Sequence, residues 1–237
     1  MVIIPAWNEE TTIATVVDEV RTALPHADIL VVNDGSTDAT SALARHAGAR
    51  VLDLPVNLGV GGAMRAGYRF AQRRGYDASV QLDADGQHDP RAVPLLLDPV
   101  LDGRADVVIG ARFAGVGAYS VGWVRKVTMR FLSFVLSRVS GTSLTDTTSG
   151  FKACGRSAIA QFAAEYPAEY LGDTIESLVI ASRAGLRIRQ VPVEMRPRAG
   201  GRPSHGPVRS AVFLVRAILA MLVALTRPAA TVTGAPR

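Results

Sequence analysis

Short apolar runs alternate with helix-patterned segments along the first half of this chain, and this alternation constrains the fold more than any other feature. The runs are rich in β-branched residues or Leu and end at Asp, Asn, Gly or Pro, which is typical of buried strands. The predicted strands are residues 2–5, 28–33, 50–53, 78–83 and 106–110. The predicted helices are residues 11–24, 39–47, 61–74 and 90–101. This repetition predicts an α/β fold with a mainly parallel central sheet flanked by helices.

Residues at the helix ends support these boundaries. Asp38 and Asp89 are expected to be N-caps, and Pro90 suits the first helical position because it has no N–H to satisfy. Gly48 and Gly75 fall where helices commonly end.

The second half is less regular. Residues 121–140 and 173–184 read as helices, residues 147–153 as a strand or a loop, and residues 186–193 as a strand. A loop rich in Gly, Pro and Arg follows over residues 196–207. The predicted organisation is one domain over residues 1–207, an apolar amphipathic helix over 208–226, and a disordered tail over 227–237.

The densest apolar stretch of the final helix, residues 211–225, is interrupted by Arg216. At about 1.5 Å per residue it covers about 22 Å, less than the roughly 30 Å hydrocarbon core of a bilayer. We therefore expect a helix at the membrane surface, with Arg209, Arg216 and Arg227 near lipid headgroups. A transmembrane span, or a helix packed on the domain or on a partner subunit, stays open.

Net charge and cysteine content limit the partners and the metal sites that this chain can have. The 237 residues carry a net charge of +5, with a pI of about 9.9, which suits anionic partners such as phosphate ligands, nucleic acid or a membrane surface. Cys154 is the only cysteine, so neither an intrachain disulfide nor a multi-cysteine zinc site can form. The amino end reads as a strand rather than a signal peptide, so a cytoplasmic location is expected.

Polar clusters directly follow four of the predicted strands. Ligands of open α/β sheets bind beyond the carboxyl ends of the strands, so the clusters should meet at one edge. They comprise Trp7-Asn8-Glu9, Asp34-Gly35-Ser36, Asn57-Leu58-Gly59 and Asp83-Ala84-Asp85.

Asp85 and Gln87 offer oxygen ligands to a hard cation such as Mg²⁺ or Mn²⁺, with substrate phosphates completing the shell. Asp83 is placed to accept from substrate hydroxyls or metal-bound water. A solvated turn is the simpler interpretation of these carboxylates taken alone.

The other clusters suggest a nucleotide. Trp7 could cover a base, Glu9 could bind a ribose, and Asp34 could bind either; core packing is the alternative for Trp7. The glycine-rich residues 57–62 would let backbone approach a ligand closely.

Taken together, the four segments resemble those of family 2 glycosyltransferases, in the branch of dolichyl- and polyprenyl-phosphate sugar synthases. The resemblance covers about residues 1–205 and implies the GT-A fold, a nucleotide-diphosphate sugar donor and inversion at the anomeric carbon. The segments that carry it are VIIPAWNEE (2–10), VNDGSTD (32–38), NLGVGGA (57–63) and DADGQH (83–88).

The resemblance also implies roles for single residues. It places Ala84 and Asp85 beside the diphosphate, and Asp85 and Gln87 on the metal. Trp7 stands where the family usually has Tyr, and both rings can stack. The residues that it places around the nucleotide are Pro5, Trp7, Glu9, Val32 and Asp34.

On the acceptor side, the resemblance assigns Arg112 and Arg125 to the acceptor phosphate, which suits the fixed fork of a guanidinium. A surface charge is the alternative for Arg125. Residues 145–152, which include Ser149, resemble the family's acceptor-side segment. Asp173 and Glu176 share one face of a predicted helix, where related transferases have a carboxylate that meets sugar hydroxyls.

The loop over residues 196–207 resembles the family's mobile Arg-x-x-Gly-x-Ser-Lys loop, with one extra residue. Arg198 matches the Arg of that motif, and His205 stands where Lys is usual. An imidazole is only partly protonated near neutral pH, so His205 would neutralise a diphosphate less fully than Lys.

These inferences predict an inverting transferase, peripheral at the inner face of the membrane, that moves a hexose from a GDP-mannose or UDP-glucose type of donor to a polyprenyl phosphate. The catalytic residues would be Asp85, Arg112 and Arg125. The expected partners are the two substrates, not nucleic acid. An integral-membrane partner protein is also compatible with the sequence. One alternative is a cytosolic transferase acting on a sugar or protein hydroxyl, with Asp146, Asp173 or Glu176 as base. Another is a non-catalytic module that binds nucleotide or nucleic acid.

Overall fold

The computed structural model describes residues 1–111, 137–138, 142, 144–146, 149–167 and 173–197. Within these residues the chain forms one seven-stranded sheet and six α-helices. The strands are β1 (Val2–Ala6), β2 (Ile29–Asn33), β3 (Arg50–Asp53), β4 (Ala78–Gln81), β5 (Val107–Ala111), β6 (Lys152–Gly155) and β7 (Ile188–Pro192). The helices are α1 (Ile13–Ala23), α2 (Thr40–His46), α3 (Gly59–Arg73), α4 (Val93–Leu101), α5 (Arg156–Ala164) and α6 (Asp173–Arg183), with a 3-10 turn (Pro90–Ala92) before α4.

The strand order is β3-β2-β1-β4-β6-β5-β7, and all pairs are parallel except the two that β6 makes with β4 and β5. The prediction of an α/β fold with a mainly parallel sheet is therefore confirmed. The segment left open as strand or loop contributes the single antiparallel strand. Because β6 runs the opposite way, its amino end lies at the edge where the other strands have their carboxyl ends.

Apolar side chains cover both faces of the sheet. One core joins the sheet to α3, α5 and α6, and the other joins it to α1, α2 and α4. In the first core, Tyr68, Phe162 and Tyr166 form an aromatic cluster with ring centroids 5.2–5.3 Å apart. Cys154 is fully buried beside Tyr68, and burial raises the pKa of its thiol to about 11. Cys154 therefore packs as a small core residue and is not ionised near pH 7.

The predicted helix-end residues Gly48, Gly75 and Asp89 agree with the structure. Gly48 and Gly75 have φ of 93° and 73°, the left-handed conformation that glycine adopts without strain. Asp89 accepts the N–H of Arg91 at 3.0 Å and caps the turn that Pro90 begins.

Most of the other boundaries shift by one or two residues, and the segment predicted over residues 147–153 forms a strand only from Lys152 to Gly155. Two of the shifts have a visible cause. β4 ends at Gln81, because the N–H of Asp83 donates to His88 Nδ1 at 3.0 Å instead of continuing along the strand. α3 begins at Gly59 rather than at residue 61, since Asp34 from the loop after β2 accepts the N–H of Leu58 and Asn57 accepts the N–H of Gly59.

The predicted helices at 121–140 and 208–226 lie outside the described residues, apart from residues 137–138. Among the helices that the structure does describe, none combines the length and hydropathy needed to cross a bilayer. The division of the chain at residues 207 and 226 stays a prediction.

Candidate active site

The four polar clusters lie at one edge of the sheet. β1 has β2 on one side and β4 on the other, so the loops after β2 and β4 flank the loop after β1. Trp7 is 49% exposed at this edge, which contradicts core packing and leaves the residue accessible to a ligand.

The loops after β1 and β2 are locked together by reciprocal hydrogen bonds. The N–H of Asn8 donates to Ser36 Oγ at 2.9 Å, and the N–H of Thr37 donates to Asn8 Oδ1 at 2.9 Å. Asn8 has a φ of 53°, which its short polar side chain tolerates better than most residues. The N–H of Glu9 also donates to Thr40 Oγ1 at 2.8 Å. Trp7 and Glu9 therefore project from a fixed backbone.

Asp38 stabilises the same junction as a cap of α2. It accepts the N–H of Thr40 at 3.0 Å, the Thr40 hydroxyl at 2.5 Å and the N–H of Glu10 at 3.2 Å. Burial alone would raise the pKa of Asp38, but these hydrogen bonds outweigh burial and lower it. The carboxylate that holds the junction is ionised at neutral pH.

Asp34 is buried between the loops after β2 and β3. Its Oδ1 accepts the N–H of Leu58 at 2.7 Å, just before α3 begins. Burial raises the pKa of Asp34, although hydrogen bonds from the N–H groups of Leu58 and Gly59 counteract the rise. Gly35 has a φ of 67°, and a Cβ there would lie 2.7 Å from the backbone N of Asn57. Asp34 thus caps α3, a role that the sequence analysis did not foresee.

Residues 83–87 form a compact acidic turn beyond β4. Asp85 is buried, and its Oδ1 accepts the N–H of Gln87 at 3.0 Å around Gly86, whose φ is 76°. His88 supports this acidic turn. Its ring stacks on the ring of Phe151, with 4.9 Å between the centroids, and its Nδ1 accepts the N–H of Asp83. The sequence analysis included His88 in the segment DADGQH (83–88) but gave it no role.

The acceptor-side segment lies directly against the acidic turn. A Cβ on Gly150 would stand 3.1 Å from both carboxylate oxygens of Asp83 and 3.1 Å from Gln81 Nε2. Ser149, the neighbouring candidate, is buried, and its Oγ accepts the N–H of Phe151 at 3.3 Å. The antiparallel direction of β6 brings these residues to the ligand edge.

Further buried polar side chains lie within and next to the acceptor-side segment. Lys152 donates from Nζ to the hydroxyl of Tyr166 at 2.8 Å and to Ser177 Oγ at 3.4 Å. Asp146 and Glu176 are also buried, whereas the side chain of Asp173 lies outside the described part of the chain. The sequence analysis gave roles to the carboxylates, whereas it included Lys152 only as the last residue of the acceptor-side segment and did not name Tyr166.

The acidic turn suits a hard divalent cation. Asp83, Asp85 and Gln87 supply only oxygen ligands, and Gln81 adds a buried Oε1 that meets no hydrogen-bond donor among the described residues. In the described ranges, no three His, Cys, Asp or Glu side chains group into a complete protein cage. Mg²⁺ and Mn²⁺ commonly bind in this way, with a few oxygen ligands from the protein and further oxygens from the phosphates of the substrate.

Four of the predicted site residues lie outside the described residues: Arg112, Arg125, Arg198 and His205. In the sequence, Arg112 directly follows Ala111, the last residue of β5. Pro5 and Val32 belong to the paired strands β1 and β2, where they are register partners. Ala84 is buried within the acidic turn.

A doubly covered, mainly parallel sheet with an oxygen-lined turn at its carboxyl edge is typical of enzymes that bind phosphate-bearing substrates. Residues 1–162 match the family model "Glycosyl transferase family 2". The chain belongs to this family and is a glycosyltransferase, as the sequence analysis predicted.

Two relatives refine the comparison. The chain is 33% identical over 225 residues to an undecaprenyl-phosphate mannosyltransferase of Micrococcus luteus, covering 91% of each protein. It is 36% identical over 163 residues to a polyprenol monophosphomannose synthase of Mycolicibacterium smegmatis, covering 66% of this chain and 61% of the relative.

Among solved structures, a glucosyl-3-phosphoglycerate synthase from Mycobacterium tuberculosis in complex with phosphoglyceric acid superposes with a TM-score of 0.73 at 27% identity, covering 96% of this chain and 80% of the other. A structure of that synthase with Mn²⁺, uridine diphosphate and glucosyl-3-phosphoglycerate gives the same TM-score and coverage at 26% identity.

Proposed function

We propose that this glycosyltransferase moves a hexose from a nucleotide-diphosphate sugar to a polyprenyl phosphate at the inner face of the membrane. Two relatives are named for mannosyl transfer to undecaprenyl phosphate or for synthesis of a polyprenol monophosphomannose. The identity to the first of them extends over 91% of both chains, so it includes the acceptor side as well as the nucleotide side.

The donor would bind across the loops that follow β1, β2 and β4. Trp7 would stack on the base, while Glu9 and Asp34 would bind base or ribose hydroxyls beside Pro5 and Val32. Asp85 and Gln87 would hold Mg²⁺ or Mn²⁺, which supplies positive charge for the leaving diphosphate. Arg198 and His205 would add charge on the same group, with Ala84 next to it and Asp83 near the sugar hydroxyls.

The acceptor phosphate would bind to Arg112, Arg125 and Ser149. A phosphate monoester is largely ionised near pH 7, so its oxygen can attack without a dedicated general base. An oxygen of the lipid phosphate forms a bond to the anomeric carbon as the bond to the nucleoside diphosphate breaks. This in-line displacement inverts the anomeric configuration. The side chains mainly position and neutralise two anions.

The observation that carries the proposal is the contact between Gly150 and Asp83. A Cβ added to Gly150 of the acceptor-side segment would lie 3.1 Å from both carboxylate oxygens of Asp83 in the acidic turn. A donor bound at the turn and an acceptor bound at Ser149 would therefore meet at one place.

A second candidate is transfer to a hydroxyl of a water-soluble acceptor. The solved structures of glucosyl-3-phosphoglycerate synthase favour it, because one of them holds phosphoglyceric acid, a water-soluble molecule with a hydroxyl, and another holds glucosyl-3-phosphoglycerate. This reaction needs a base, and the buried carboxylates Asp146 and Glu176 are the described candidates.

The test is transfer of radiolabel from nucleotide sugars in the presence of Mn²⁺ and either polyprenyl phosphate or water-soluble acceptors. We expect label in the organic phase, and an Asp85→Asn variant should lose at least about 100-fold in rate. Asp102→Asn is the matched control, since Asp102 is exposed and pairs with Arg104 away from the site. Label confined to water-soluble product would refute the lipid acceptor, and full activity in Asp85→Asn would refute the metal assignment.

A further inference from the structure

The residues that follow β7 run back against the acidic turn. Met195 forms an isolated antiparallel bridge with His88, and the N–H of Arg196 donates to the carbonyl of Gln87 at 2.9 Å. Residues from the end of the described chain therefore complete the backbone hydrogen bonding of a turn that lies more than a hundred residues earlier in the sequence.

The side chain of Arg196 extends this contact. Its Nη1 donates to Glu19 Oε2 on α1 at 2.5 Å, and its Nη2 lies 2.8 Å from Asp89 Oδ1. Asp89 Oδ1 also accepts the N–H of Arg91 at 3.0 Å. The guanidinium thus bridges Glu19 of α1 and the carboxylate of Asp89, just after the turn.

These contacts fix Gln87 from two directions. Its N–H donates to Asp85 Oδ1 within the turn, and its carbonyl accepts from Arg196 outside it. Asp89, two residues further, is held by the same arginine. Ligands of a cation must be held within fractions of an ångström, and groups behind the ligands supply that constraint.

We infer that Arg196 is a positioning residue for the acidic turn: it holds Gln87 and Asp89 in the arrangement that receives the cation and the donor diphosphate. This inference rests on the proposed function, because it takes the acidic turn as the donor site. The backbone N–H of Arg196 holds Gln87, and its guanidinium holds Asp89 against α1. Because Arg196 acts behind the ligands, it governs metal and donor affinity more than the rate of the chemical step.

Arg187 provides a matched control at the other end of β7. Its guanidinium also bridges two partners, Asp106 and the carbonyl of Gly103, and it is remote from the acidic turn. Arg196→Met and Arg187→Met therefore each remove one bridging arginine, while Arg196→Lys keeps the charge but loses the fork that reaches both carboxylates.

The experiment measures Mn²⁺ affinity in the presence of GDP or UDP, together with KM and kcat for the donor sugar. Arg196→Met should weaken Mn²⁺ binding and raise the donor KM by about 10- to 100-fold with a smaller change in kcat, whereas Arg187→Met should leave both constants unchanged. Arg196→Lys should recover part of the loss. Equal Mn²⁺ affinity and equal donor KM in the two Met variants would overturn the inference.

Hydrogen exchange of the ligand-free protein separates this inference from the proposed function. Arg196→Met should speed exchange of the amides over residues 84–92, and Arg187→Met should not. Unchanged exchange in Arg196→Met overturns the positioning role. Faster exchange in a protein whose wild type binds no Mn²⁺ with nucleotide supports the positioning of the turn and overturns the proposed donor site.

Discussion

Gly150 lies two residues before β6 and Gly155 is its last residue, and an added Cβ would be crowded at both positions. At Gly150 an added Cβ would crowd the carboxylate of Asp83, at 3.1 Å from each oxygen. At Gly155 it would crowd Val100 Cγ1, also at 3.1 Å, on the opposite edge of the sheet. The two glycines therefore impose similar crowding on very different neighbours.

Alanine substitutions at Gly150 and Gly155 compare crowding at the active-site edge of the sheet with crowding at the opposite edge. Gly150→Ala should displace Asp83 by a few tenths of an ångström and lower kcat/KM at least about 10-fold, because small misplacements at a reacting centre are costly. Gly155→Ala should keep normal kcat/KM. Steady-state kinetics and thermal melts of both variants are the measurement, and we expect similar melting temperatures. Equal kinetics in the two variants would contradict the placement of Asp83 in the site.

At the scale of elements, one carboxylate joins β7 to β5. Asp106 precedes β5 and accepts from the N–H of Arg187 at 2.8 Å and from its Nε and Nη2 at 3.0 and 3.2 Å. Burial alone would raise the pKa of Asp106, but these bonds and the charge of Arg187 lower it. The pair therefore ties the start of β7 to its neighbour in the sheet.

A carboxylate whose pKa is lower in the folded state stabilises the fold above its unfolded pKa of about 3.9, and this contribution is lost as pH falls through the folded pKa. Asp106→Asn should therefore reduce the free energy of unfolding at pH 7 and flatten its decline below about pH 5. Arg187→Met should flatten it in the same way, since Arg187 causes the shift. Urea denaturation between pH 7 and pH 2 is the measurement, and curves parallel to the wild type would contradict the assignment.

At the scale of the whole molecule, the net charge of +5 and the apolar carboxyl-terminal residues suit a protein that works at an anionic membrane surface. The predicted surface helix over residues 208–226 lies outside the described structure. Substitution of its arginines in the full chain tests whether this helix binds the membrane surface.

Arg209→Gln combined with Arg216→Gln should weaken binding to vesicles that contain anionic lipid by about 2 kcal/mol, or roughly 30-fold, since each basic residue near the surface contributes about 1 kcal/mol. Arg73→Gln with Arg74→Gln removes the same charge from the end of α3 and should change binding much less. Vesicle sedimentation at low and high salt is the measurement. An equal loss in both double variants would show that net charge alone drives association.

The sequence by itself determined the alternation of elements and the acidic edge. Strand and helix periodicities are local, and a polar residue that ends a parallel strand must lie at the carboxyl edge whichever neighbour the strand takes. This is why Trp7, Glu9, Asp34 and Asp85 could be assigned to one edge before any contact between them was known.

Only the tertiary structure decided which segments close around that edge. The insertion of β6 between β4 and β5 brings Gly150 to Asp83, and the return of the chain after β7 brings Arg196 to Gln87. The stacking of His88 on Phe151 depends on the same insertion. These partners lie far apart in the chain, and their pairing depends on strand order, which local periodicity does not encode.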